Sequence, residues 1–180
     1  MTKVTKHQFD HSRYSPSYIR GILSDVKTIA IVGASANDVR PSFFVLKYLI
    51  EKGYEVYPIN PSMAGKSALG RLFYASLADV PVAIDMVDVF RGGDAVQGIV
   101  DEALALSPLP KVIWMQLGVR NDEVALKAEA KGIKVVMNRC PKMEYGKHSG
   151  EWQWIGGNTG LISSKKQKLH SSGRVQSLGI

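Results

Sequence analysis

The stretch Ile29-Ala30-Ile31-Val32-Gly33 constrains the fold more than any other part of the chain. Its apolar, β-branched run reads as a parallel strand covered on both faces. Gly33 lets the backbone turn sharply and approach a ligand closely. A short polar loop then leads to Arg40-Pro41-Ser42, with the proline at a first helical position, where its missing N–H costs nothing. A strand that breaks at glycine and feeds a helix N-terminus puts unpaired N–H groups and a positive dipole end at the sheet's carboxyl edge. That is a seat for phosphate.

The plan repeats along the chain. Strands are predicted over 28–33, 55–60, 83–90, 111–116 and 133–138. A helix over 41–52 turns Phe44, Val45, Tyr48 and Leu49 inward and stops at Gly53. Asp94 caps a helix over 95–106 that buries Val96, Ile99, Val100 and Ala103. Asn121 or Asp122 caps another, which runs to about residue 131 and ends at Gly132. A leading helix enters at Ser15-Pro16, with Tyr18, Ile22 and Leu23 or Val26 on one face. Residues 61–80 read as irregular, with a loop at 63–66 and a helical turn at 76–80, and Pro58 suits a sheet edge. Strands alternating with helices predict an α/β fold: a doubly wound, parallel, five-stranded sheet in three αβα layers. The expected organisation is an N-terminal arm over 1–14, one domain over 15–150 and a basic tail over 151–180, whose start Trp152, Trp154 and Ile155 can anchor.

Charge narrows the partners. The net charge of +7 splits into +3 in residues 1–27, +4 in residues 152–180 and zero between them. The core is neutral and lacks the clustered basic face of a nucleic-acid binder. No run reaches the length of a membrane span. One cysteine, Cys140, excludes an internal disulfide framework and fits a reducing compartment. The polar N-terminus has no apolar signal core, so a cytoplasmic protein is expected, with a mitochondrial transit segment as the alternative. A homo-oligomer is compatible with the sequence.

Open α/β sheets bind ligands outside the strands' carboxyl ends. Here those ends read Gly33-Ala34-Ser35, Asn60-Pro61, Val89-Phe90-Arg91, Gln116-Leu117-Gly118 and Asn138-Arg139-Cys140. Glycines, amides, a hydroxyl and guanidinium groups suit a phosphorylated, partly apolar ligand. Paired carboxylates, nucleophile–base pairs and metal-ligand spacings are missing, and the histidines (His7, His11, His148, His170) fall in or near the extensions. An NAD(P)-dependent oxidoreductase is the rival reading. It needs G-x-G-x-x-G and an acid ending the second strand, whereas this chain has a single glycine and Asn60-Pro61. A third reading is an interaction module that works through the basic tail.

Five ordered motifs carry a family resemblance: Gly33-Ala34-Ser35 with Arg40-Pro41-Ser42; Pro58-Ile59-Asn60-Pro61; the run from Asp85 to Arg91; Trp114-Met115-Gln116-Leu117-Gly118-Val119; and Val136-Met137-Asn138-Arg139-Cys140. Over roughly residues 15–146 the chain resembles the small stand-alone CoA-binding proteins, which are similar to the CoA-binding domain of the succinyl-CoA synthetase α subunit. The resemblance implies a Rossmann-like domain whose ligand is coenzyme A or an acyl-CoA. The Gly33–Ser35 turn and the helix from Pro41, with Ser42, would hold the diphosphate. Arg40 would pair with a phosphate, such as the 3′-phosphate. Asn60-Pro61 and Val89-Phe90-Arg91 would flank the adenosine, and Gln116-Leu117-Gly118 with Asn138-Arg139-Cys140 would line the pantetheine path. The synthetases act through a phosphohistidine in a further domain, and no histidine here matches one, so binding without turnover is expected.

Blander roles are weighed beside these. Asp85 and Asp88 read as a structural salt bridge or an exposed edge, and Phe90 and Trp114 as core. Cys140 reads as inert packing. The alternative is a thiol activated by Arg139 that forms a mixed disulfide with the CoA thiol.

Overall fold

A computed structural model describes residues 10–151. With strands numbered in chain order, β1 (Thr28–Val32), β2 (Glu55–Ile59), β5 (Met86–Val89), β6 (Val112–Met115) and β7 (Lys134–Val136) form one sheet in the order β2-β1-β5-β6-β7. Every pairing in it is parallel. This is the predicted doubly wound α/β fold. The chain steps outward from β1 to β2, then returns to the other side of β1 with β5. The strand order therefore reverses between β1 and β5, where a crevice opens in such sheets. Pro58 lies on edge strand β2 as expected, since an edge strand tolerates a residue with no N–H to give.

Strand alternation divides the core into two layers. Ile29, Ile31, Met86 and Trp114 face α1 (Pro16–Asp25), α2 (Pro41–Glu51) and α5 (Pro141–His148). Ala30, Val87, Val89, Ile113 and Val135 face α3 (Ala95–Leu104) and α4 (Asp122–Glu129). Trp114 is completely buried, as expected, and its Nε1–H donates to the Arg139 carbonyl at 2.7 Å. The Ser15 hydroxyl caps α1 by accepting from the Tyr18 amide at 3.2 Å, and the Asn121 side chain caps α4 through the Val124 amide at 3.1 Å.

Three expectations are corrected, and one element is added. Phe44 is 49 % exposed, because the inward stripe of α2 runs through Ser42, Val45, Leu46 and Leu49 and leaves position 44 beside it. Asp94 precedes α3 without a side-chain cap, since its backbone is already αR (φ −66°, ψ −20°) and a capping side chain needs an extended residue. Residues 61–80 hold the helical turn expected at 76–80, as a 3₁₀ turn over Leu77–Asp79, but are less irregular than expected before it, with a 3₁₀ turn (Pro61–Met63) and a small hairpin of β3 (Ser67–Ala68) and β4 (Arg71–Leu72). Helix α5 was not anticipated, although Pro141 at its first position was a legible start signal.

The packed body extends past the expected limits of 15 and 150. His11 is only 4 % exposed, held between Tyr14 and Glu129, and Glu151 is 1 % exposed in an ion pair with Lys52. Residues 1–9 and 152–180, which include Trp152, Trp154, Ile155 and the basic tail, lie outside the described residues. Among the described residues no helix is long and apolar enough to cross a membrane, and no group of three or more His, Cys, Asp or Glu could hold a metal ion.

Candidate functional site

At the switch point, β1 ends at Val32 and the backbone turns through Gly33 with φ +88°. The Gly33 and Ala34 amides both donate to the Ile59 carbonyl, at 3.0 and 3.3 Å. Asn60 completes the brace: its Nδ2–H donates to the Ala34 carbonyl at 2.8 Å, while its Oδ1 accepts from the Ser62 amide at 3.1 Å. Further on, the Asn37 amide donates to Ser35 Oγ at 3.1 Å and the Val39 amide to Asn37 Oδ1 at 3.0 Å, winding the loop toward α2.

These pieces bound a cavity of about 430 Å³. The β1–α2 loop contributes Gly33, Ala34 and Ser35, the start of α2 contributes Arg40, Pro41 and Ser42, and the neighbouring strand ends contribute Asn60, Phe90 and Arg91. Gly33 and Ala34 do not offer their amides to a ligand, because Ile59 already takes them. The amides of Ser35, Ala36 and Ser42 have no hydrogen-bond partner among the described residues. Arg40 stands at the N-cap of α2, and the Arg91 side chain lies across Gly33, where an added Cβ would meet it at 3.2 Å. Free amides, a helix N-terminus and two guanidinium groups thus gather around one hollow, a set of donors of the kind that can meet an anion. Phe90, half-buried, lines the cavity and packs against the core behind it.

The remaining sequence candidates lie outside this cavity. Pro61 opens the 3₁₀ turn, and Val89 is completely buried in the sheet. Gln116 is turned inward, its Nε2 donating to both carboxylate oxygens of Asp88 at 3.0 Å. Leu117 is 56 % exposed, and the Gly118 amide donates to Asn138 Oδ1 at 2.8 Å. Arg139 sits over the Tyr14 ring at 5.5 Å and donates to the Asn138 carbonyl at 2.8 Å. Cys140 is buried, and burial pushes its thiol up from its ordinary value, opposite to the activation that a neighbouring Arg139 would give.

The two strand aspartates have separate roles. Asp85 is the structural salt bridge that was expected: it pairs with Lys111 at 2.8 Å and accepts from the Lys27 and Thr28 amides at 2.8 and 3.2 Å. Those bonds hold its carboxyl below the usual value, although its partial burial acts the other way. Asp88 is neither bridged nor at an edge. It is completely buried in central strand β5, and burial pushes its carboxyl up to about 8, with the Gln116 amide opposing. The signal in the sequence was its place between Val87 and Val89 in a strand flanked on both sides.

The doubly wound sheet with a cationic, amide-lined hollow at its switch point is a Rossmann-like α/β domain, and comparison with known proteins gives its family. The chain belongs to the CoA-binding-domain family, whose model matches residues 27–146. It is 35 % identical over 131 residues to the uncharacterized protein YneT of Bacillus subtilis, covering 73 % of this chain and 94 % of that one. It is 32 % identical over 84 residues to the acetate–CoA ligase [ADP-forming] I subunit alpha of Pyrococcus furiosus, covering 44 % of this chain and 18 % of the subunit. Among solved structures, the cell-free ID.343 protein of Thermus thermophilus superposes with a TM-score of 0.71 at 37 % identity, over 75 % of this chain and 99 % of that one.

Proposed function

We propose that this protein binds coenzyme A or an acyl-CoA at the carboxyl edge of its sheet and does not itself turn the ligand over. The cavity between the ends of β1, β2 and β5 carries the reading, because its donors match the ligand's anionic half. The free amides of Ser35 and Ser42 receive the diphosphate, and Arg91 closes over it from the β5 side. Arg40, at the mouth of α2, takes the 3′-phosphate, and Phe90 supports the adenosine. Gly33 fits a close backbone approach, since a side chain there would push Arg91 away. Family membership and the likeness to a ligase subunit with acetate–CoA activity support the ligand class. Binding without turnover rests on the site's chemistry: its side chains are cationic, amide, hydroxyl and aromatic, with no nucleophile–base pair among them. A nicotinamide dinucleotide fits less well, because the end of β2 presents Asn60, already spent on Ala34 and Ser62, where a ribose would want a carboxylate.

Isothermal titration of the full chain with CoA, dephospho-CoA and NAD tests this. The expected order is CoA tightest, dephospho-CoA weaker by about tenfold or more for the lost phosphate contact, and NAD weakest. Arg40→Ala should erase the difference between CoA and dephospho-CoA. Equal affinity for all three ligands, or none for any, overturns the proposal.

A further inference from the structure

Asp88 is completely buried, and among the described residues no cation accompanies it. Its register partner on β1 is Ile31 and on β6 is Trp114, neither of which can neutralise a carboxylate. From beyond the end of β6, Gln116 supplies the one hydrogen-bond donor, a neutral amide. On α5 the titratable group that faces Asp88 is the Cys140 thiol, and the Lys142 and Met143 amides at that helix's start bond to Cys140 instead. No lysine, arginine or histidine of α1, α2 or α5 acts on the Asp88 carboxyl. Burial without a counter-charge favours the protonated acid.

This carboxyl lies directly behind the cavity at the switch point. The Phe90 amide donates to the Val32 carbonyl at 2.9 Å, so the β5 backbone runs on extended to a residue that lines the cavity. Side chains two apart on a strand share a face, which puts Asp88 one pleat repeat, about 7 Å, back from Phe90 on the same side of the sheet. That side is the one facing α2 and α5, where Ile31, Trp114 and Phe90 all pack. Ser42, at the start of α2, is buried on this side as well and lines the same cavity.

We propose that coenzyme A binding is proton-linked through Asp88: the neutral acid admits the ligand's phosphates to the neighbouring cavity, and the carboxylate repels them. The inference rests on the coenzyme A reading of that cavity and concerns how pH sets its affinity. A carboxylate sealed from water interacts with a nearby polyanion through protein rather than through solvent, so the repulsion is poorly screened. The coupling runs both ways, since a bound ligand holds the proton on Asp88 as firmly as the proton favours the ligand. With the free carboxyl raised to about 8, affinity is level below neutral pH and falls as pH rises through that value.

Isothermal titration of CoA into the full chain at pH 6.8 and pH 9 tests this, on the native protein and on Asp88→Asn, which is neutral at both. Native affinity is expected to fall between the two pH values by at least about fivefold more than that of the variant. The variant then binds tighter than native at pH 9 and equally well at pH 6.8. A second measurement needs no variant: at pH 8, titrations of the native protein in buffers of different ionisation enthalpy should show proton uptake on binding, approaching about half a proton per ligand. Parallel pH profiles for native and variant, or no proton uptake at pH 8, overturn the inference and leave the coenzyme A reading standing. Absence of CoA binding at pH 6.8 overturns both.

Discussion

The side-chain amide of Gln116 donates to both carboxylate oxygens of Asp88, at 3.0 Å each, inside the sheet next to the switch-point crevice. One neutral amide is weak compensation for a carboxylate removed from water, and burial raises the Asp88 carboxyl to about 8 from an ordinary 3.8. The folded protein therefore holds a proton there that the unfolded chain has released between pH 4 and 8. Stability contributed by this group is full at acid pH, falls as pH rises through that window and levels off above it. Thermal melts at pH 5 and pH 8 should show the native protein losing several degrees relative to Asp88→Asn, at roughly 2–4 °C per kcal/mol. Equal pH slopes for the two proteins would remove the account.

Gly33→Ala is expected to harm both stability and binding. A left-handed backbone at φ +88° costs a side chain about 1–2 kcal/mol, and the new Cβ presses on Arg91 at 3.2 Å. Denaturant melts should register the first effect and CoA titration the second. Because Arg91 is a flexible side chain, the binding loss should exceed the stability loss; the reverse order would separate Arg91 from the ligand.

Glu151→Ala should destabilise the domain strongly, although residue 151 was read from the sequence as the start of a tail. Its carboxylate pairs with Lys52 and accepts from the Tyr48 hydroxyl at 2.8 Å, with both ionic side chains sealed from solvent. Removing the anion leaves the Lys52 ammonium buried with less compensation, a loss on the order of 3–5 kcal/mol. Urea unfolding measures it, and a change below about 1 kcal/mol would show that the pair is not integral to the fold.

Cys140 should react slowly. Burial raises its thiol and shields it, so the fraction of thiolate at pH 8 is small and poorly accessible. Labelling with a maleimide at pH 8 is expected to be at least tenfold slower in the folded protein than in urea. Mass spectrometry after mild oxidation with CoA disulfide should find no adduct at this position. Rapid labelling, or an adduct, would reinstate the mixed-disulfide reading.

Where periodicity and punctuation agree, the sequence was readable. The Ile29–Val32 run, Gly33 and Pro41 placed a strand, a turn and a helix start within a residue or so of the observed β1 and α2. The doubly wound order followed from their repetition. That one set of candidate residues gathers around a single cavity was legible because each piece sits in a local motif. That the others find partners elsewhere was not legible, for a non-local reason. Gln116 points inward because Asp88 lies opposite on a neighbouring strand, and the Asn138 side chain is taken by the Gly118 amide, 20 residues away. No window of sequence contains those pairs. Phe44 failed on phase, since a helix only eleven residues long leaves little periodicity to fix where the inward stripe ends, and that stripe takes Leu46 and leaves Phe44 out.

The brace at Ile59 and Asn60 decides how the loop after β1 behaves when a guest arrives. The Ile59 carbonyl grips two successive amides and Asn60 ties Ala34 to Ser62, so the start of the loop is held by the chain's own hydrogen bonds, and the proposed binding needs no rearrangement there. The disorder surrendered on capture then falls on two arginine side chains, at about 2 kcal/mol of rotamer freedom each at most. Capture should accordingly be a single kinetic phase whose observed rate climbs linearly with ligand concentration, without the plateau that a slow loop closure would impose.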